Sequence, residues 1–130
     1  MKTLSVMNPW GHFIMYNGKG VENRSWETFY RGRILIHVSK KMIPDYEVVV
    51  AGLWHNGLLE GFHLEDMEAV KSECGHIIGS VEIYGCVRNS HSHWAEAGLF
   101  HWQLRDPIPF EKPILTKGAL GLWEYKGDGV

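Results

Sequence analysis

The chain has 130 residues, of which 45% are hydrophobic and 22% charged, and it carries a net charge of −2. That balance excludes a disordered segment, and the length suits one domain (1-130) with a core that needs no disulfide staples. The mild negative charge speaks against a protein that coats nucleic acid indiscriminately.

The segment TLSVM (3–7) opens the chain as a short β-prone stretch. In NPWGHFIMYNG, Asn8 suits a helix N-cap and Pro9 the first helical position, where its missing N–H costs nothing. Trp10, Phe13 and Ile14 recur at helical spacing, and Gly18 fits the left-handed exit. GRILIHVS (32–39) alternates, with Ile34, Ile36 and Val38 on one face and Leu35, His37 and Ser39 on the other. Residues 45–62 suit either strand or helix, with helix the preferred reading, and HLEDMEAVKSECG (63–75) reads as a helix with acids near its start and Gly75 as its stop. HIIGSVEIYGCVRN, LFHWQL and ALGLWEY read as strands. RDPIPFEKPI (105–114) holds three of the five prolines and reads as an extended loop. Without repeats or linkers, this order predicts an α+β, mainly β fold: a small, mostly antiparallel barrel with flanking helices.

No stretch is apolar for long enough to span a membrane, and the N-terminal apolar run is too short for a secretory leader. Cys74 and Cys86 form neither a metal-type nor a disulfide-framework spacing, which leads to the expectation of a reducing, cytoplasmic setting. Charge is unevenly spread. Between Gly18 and Met42, six basic residues (Lys19, Arg24, Arg31, Arg33, Lys40, Lys41) face two acidic ones (Glu22, Glu27). Between Glu60 and Glu73, five acids stand against Lys71 alone. Such a distribution suits a phosphate-bearing partner held at one place; two solvated faces of unlike charge give the same count.

The stretch NGKGVENRSW (17–26) sets three of these charges beside two glycines. Gly18 and Gly20 let the chain turn, which puts Lys19 in the turn itself. If Val21 to Trp26 is extended, Glu22, Arg24 and Trp26 share one face, and Val21 and Asn23 the other. Lys19, Glu22 and Arg24 then converge on one cleft with Lys19 at its rim, or form salt bridges on a solvated face. A carboxylate this close raises a lysine pKa, which favours a charged, binding Lys19 over a neutral, reactive one, unless burial reverses the balance.

In GKGVENR, Lys19, Glu22 and Arg24 resemble the K-x-x-E-x-R part of the G-x-K-x-x-E-x-R signature of the ASCH domain family in the PUA-like superfamily. The likeness extends over the Pro-Trp helix and the strand YRGRILIHVS, then over IIGSVEIYGCVRNSHSHW and KGALGLWEY near the C-terminus. It departs at Val38, where alanine is common. The resemblance implies a PUA-like β-barrel with a cleft beside the signature that binds RNA or a modified nucleobase or nucleoside. Some small members are amidohydrolases that deacetylate N4-acetylcytidine, and others have been assigned ribonuclease activity. In the amidohydrolase branch the signature lysine is catalytic and a threonine stands where Glu22 stands here. Were this chain an enzyme, Lys19 and Glu22 would be its catalytic residues.

Other side chains could join such a site. In RNSHSHWAE (88–96), Asn89, Ser90 and Ser92 could hydrogen-bond a base edge and Trp94 could stack on it, or Trp94 could anchor a polar loop. Trp10 could wall the cleft or belong to the core. His37 and Ser39 could point into the barrel mouth, and Arg31 and Arg33 could meet phosphate. His91 and His93 supply only two metal ligands with no third at fixed spacing, so neither metal nor another cofactor is expected. The partner expected is RNA or a nucleoside or nucleobase, with no membrane.

Overall fold

The computed structural model describes all 130 residues, Met1–Val130. In chain order the elements are β1 (Lys2–Val6), α1 (Trp10–Tyr16), β2 (Val21–Arg24), β3 (Gly32–Val38) and α2 (Tyr46–His55). They continue with α3 (Asp66–Ser72), β4 (His76–Val87), β5 (Phe100–Leu115) and β6 (Leu122–Glu124). The fold is α+β and mainly β. Its six strands form one sheet, ordered β2-β5-β4-β3-β1-β6, that curls into a half-barrel accompanied by three helices. Only β1 and β3 run parallel; every other pair is antiparallel. No helix is long and apolar enough to cross a membrane.

The period-two alternation of the strands fills the concave face. Leu4 and Val6 of β1, Ile34, Ile36 and Val38 of β3, Val81 and Ile83 of β4, and Trp102 of β5 pack in one buried cluster. Each such aliphatic side chain contributes roughly 1.5–3 kcal/mol relative to exposure. Adjacent residues on a helix point about 100° apart, so α1 serves two cores. Its Ile14 and Met15 join the barrel cluster, while Phe13 packs with Val21, Val50, Phe62, Val70 and Trp94 in a second one. A buried polar knot fastens α1 to the end of α3. Asn8 donates to the Val70 carbonyl at 2.7 Å and to Glu73 at 2.9 Å, and His12 Nδ1 meets the same carboxylate at 2.9 Å.

Several boundaries differ from the sequence expectation. Asn8 stands one residue before the N-cap position, which Pro9 occupies, yet its Oδ1 still accepts the His12 amide at 2.9 Å. The helix expected over 45–62 covers Tyr46–His55, that over 63–75 covers Asp66–Ser72, and the strand over 119–125 covers Leu122–Glu124. The glycine stops hold: Gly18 and Gly75 have φ of 73° and 84°.

The main correction concerns 105–114, expected as a loop and found within the sixteen-residue strand β5. The reason lies in β2, whose four residues pair only with Phe100–Gln103. Beyond Leu104 the strand is bonded on the β4 side alone, and such an edge tolerates residues without an N–H. Three register shifts along β4–β5 and a positive φ at Asp106 mark where the pairing bulges. Gly79 lies opposite Pro109, and a Cβ there would stand 2.5 Å from the Ile108 carbonyl oxygen. Only glycine admits that approach.

Candidate functional site

After Gly18 turns the chain out of α1, the Lys19 amide returns to the Phe13 carbonyl at 3.1 Å. Its side chain folds inward rather than out into the turn. Lys19 is 4% exposed and Glu22 6%, so the pair lies inside the protein and not at a rim. Lys19 Nζ donates to the Val21 carbonyl and to Glu22 Oε1, the latter at 3.3 Å, and sits 5.6 Å from the centroid of the Trp10 ring. The other Glu22 oxygen accepts from Arg24 Nε at 3.0 Å. One carboxylate thus serves two cations.

Burial pushes the Lys19 pKa down, and this outweighs the opposing pull of the Glu22 carboxylate. The expectation that Glu22 would keep the ammonium at or above its ordinary pKa is therefore corrected. The balance is reversed because desolvation penalises the charged amine more than one carboxylate, shared with Arg24, restores.

Lys19 and Glu22 belong to the lining of a cavity of about 380 Å³ whose walls include Trp10, Leu53, His93 and Trp94. The Trp94 loop is pinned from β2. Asn23 Nδ2 donates to the Trp94 carbonyl at 2.9 Å, and Asn23 Oδ1 accepts the Glu96 amide at 2.8 Å. Ser92 Oγ accepts the Trp94 amide at 3.1 Å, which makes Ser92 a brace of the loop rather than part of the lining. His101 Nδ1 accepts the Ser90 amide at 3.1 Å, leaving its Nε2–H to donate to the Glu96 carbonyl at 2.7 Å. Trp94 also packs in the helical core, so anchor and wall are one residue.

Arg24 does not share this cavity. Its Nη2 donates to the Ser5 carbonyl of β1 at 2.8 Å, and the side chain lines a larger cleft of about 900 Å³. His37 and Ser39 line that second cleft too. His37 Nε2–H donates to the Thr116 carbonyl at 2.8 Å, so Nδ1 accepts from Ser5 Oγ at 3.0 Å, and Ser5 accepts from Trp123 Nε1 at 3.1 Å. Burial lowers the His37 pKa, against the Thr116 carbonyl that favours the protonated ring.

The remaining expected residues lie elsewhere. Arg33 spends its guanidinium on Ser80 Oγ at 2.9 Å and the Asp106 carbonyl at 2.7 Å, bracing β3 against β4 and β5. Arg31 holds the carbonyls of Thr28 and Tyr30. Asn89 is exposed and lines neither cavity. His91 and His93 are exposed, and nowhere do three or more His, Cys, Asp or Glu side chains gather as metal ligands. Sequence reasoning missed Asn23, His101, Val49 and Leu53. Asn23 lay inside the signature and was legible as polar; nothing in the α2 segment marked Val49 and Leu53 as cavity walls.

The family model described as the ASCH domain matches residues 4–114, from β1 to the end of β5, and so takes in Lys19, Glu22, Arg24 and Trp94. Human activating signal cointegrator 1 is 33% identical over 84 residues, which are 65% of this chain and 14% of that protein. The chain thus spans a small fraction of that relative's length. With the family model covering nearly the whole curled sheet and the signature turn at its edge, the chain belongs to the ASCH domain family.

Proposed function

We propose that the chain binds RNA or a modified nucleobase or nucleoside, with one base held in the cavity between Trp10 and Trp94 above the Lys19–Glu22 pair. The observation that carries this is a buried ion pair at an open cavity. Taking two charges out of water costs several kcal/mol per ion, and apolar residues of the same volume are often as stable or better. A charged pair beside two indoles suits a ligand that needs a donor, an acceptor and a stacking surface together. About 380 Å³ falls in the range of small-ligand pockets and accommodates a single nucleoside. Few phosphates would be neutralised in such a cavity, so binding should weaken only shallowly with salt.

Calorimetric titration of cytidine, N4-acetylcytidine and short single-stranded RNA into wild type, Trp10→Ala and Lys19→Ala tests this. Saturable binding that both substitutions weaken is expected. Equal affinity in all three proteins would overturn it.

A second reading has its own observation, the lowered Lys19 pKa. A buried amine that loses its proton more readily than in water can serve as base or nucleophile, which suits hydrolysis of a modified nucleoside such as N4-acetylcytidine, or of RNA. Chromatography after incubation with N4-acetylcytidine decides between them. Release of cytidine by wild type but not by Lys19→Ala would make the protein a hydrolase, whereas an intact nucleoside, together with RNA left uncut under the same incubation, keeps it a binder.

A further inference from the structure

The larger cleft is independent of the Lys19 cavity and has a chemistry of its own. Arg24, Lys40 and Lys117 line it, and no Asp or Glu does. That concentration of one sign runs against a chain whose net charge is −2. Neither Lys40 nor Lys117 has a carboxylate within 4.0 Å, and both are exposed, so their ammonium groups are uncommitted. Arg24 differs: it is only partly exposed, with Nε and Nη2 both on Glu22 Oε2 and Nη2 also donating to the Ser5 carbonyl, while Nη1 has no partner. A fixed guanidinium with one free edge and two mobile ammonium groups around a cavity of about 900 Å³ make a graded anion site.

The far wall is the segment from Thr116 to Gly121. It is drawn against β3 by the His37–Thr116 hydrogen bond and by Gly118. A Cβ on Gly118 would lie 2.6 Å from Ser5 Oγ and 2.7 Å from the His37 ring. Exposed Leu115 and Leu120 flank the cations, so the cleft offers apolar surface next to positive charge.

We propose that this cleft is a second binding site, for the phosphate group of a phosphate ester, with Arg24 as the fixed contact and Lys40 and Lys117 closing on it. The phosphate could belong to a free mononucleotide or to a polynucleotide backbone; both present the same tetrahedral oxyanion.

The test uses amide NMR on the full chain with three probes: inorganic phosphate, uridine 5′-monophosphate and a short oligouridylate. Expected shifts map to Gly118, Gly121 and Gly75, with no change at Trp10 or Trp94 when phosphate alone is added. Lys40→Ala/Lys117→Ala, altered only at exposed positions, should weaken binding about tenfold at moderate salt. Arg105→Ala, which removes a surface cation outside the cleft, should not. Binding of the mononucleotide identifies a free phosphate ester as the ligand, and binding of the oligonucleotide alone identifies the backbone; either supports the site. Unperturbed glycines with all three probes, or a double variant that binds as tightly as wild type, would overturn it. The proposal stands or falls apart from the base-binding cavity, whose failure would appear at the Trp10 and Trp94 signals instead.

Discussion

Glu22 and Arg24, two residues apart on β2, meet at 3.0 Å with a different cavity on either side of them. Glu22 looks towards Lys19 and the two indoles; Arg24 reaches across to the Ser5 carbonyl on β1. β2 and β1 are not neighbours in the sheet order, so this side chain links parts of the half-barrel that no ladder joins. The Glu22–Arg24 pair is therefore both a strut of the fold and the wall between two candidate sites.

That geometry predicts an asymmetry in the effects of mutation. Glu22→Ala leaves Lys19 buried without its carboxylate and should destabilise by about 3 kcal/mol. Lys19→Met still leaves Glu22 paired with Arg24, so its stability should stay within about 1 kcal/mol of wild type while ligand binding falls. Urea denaturation of the two variants checks this, and equal losses would contradict it.

The buried pair also gives stability a pH signature. The folded Lys19 pKa lies below its ordinary 10.5, so between the two values the unfolded chain binds more protons. Stability from this group must rise as pH climbs through that window towards 10.5. His37 acts in the same sense at lower pH. Its folded pKa is depressed below 6.5, so the protein should lose stability as pH falls from 6.5 towards the folded value. Denaturation at a series of pH values should show the low-pH slope in wild type and its loss in His37→Gln.

The two tryptophans of the cavity separate by role. Trp94 is 8% exposed in the helical core, so Trp94→Ala should cost about 3–5 kcal/mol of stability whatever it binds. Trp10 is less buried, and Trp10→Ala should weaken nucleoside binding by about 1–3 kcal/mol, the range of a lost stacking contact. Thermal melts and calorimetry on the same samples distinguish the two losses.

A fourth expectation concerns the sheet. Gly79→Ala would force a Cβ against the Ile108 carbonyl at 2.5 Å and Met15 Sδ at 2.6 Å. The sulfur can yield but the backbone oxygen cannot. A loss of about 1–3 kcal/mol is expected, measured by chemical denaturation; unchanged stability would show that β5 is not held against β4 there.

Patterns that are local in the chain were legible in the sequence. The alternation of Ile34, Ile36 and Val38, the glycine exits at Gly18 and Gly75 and the charge cluster at Lys19–Arg24 each depend on neighbouring residues. What was not legible depends on distant ones. Residues 105–114 are strand because β4 pairs with them, and their prolines are tolerated because β2 is too short to pair on the other side. Arg24 left the Lys19 cavity because Ser5 offers a carbonyl across the half-barrel, which no spacing within NGKGVENRSW encodes. The direction of the Lys19 pKa turned on how deeply the helices cover it, and pairing alone pointed the other way.

A base held between Trp10 and Trp94 would register in the indole N–H signals of the six tryptophans during titration with N4-acetylcytidine. Saturable shifts of Trp10 and Trp94 are expected, with Trp26, Trp54, Trp102 and Trp123 unmoved and the shifts diminished in Lys19→Ala. Shifts confined to Trp123 beside the basic cleft, or none at any indole up to millimolar nucleoside, would contradict it.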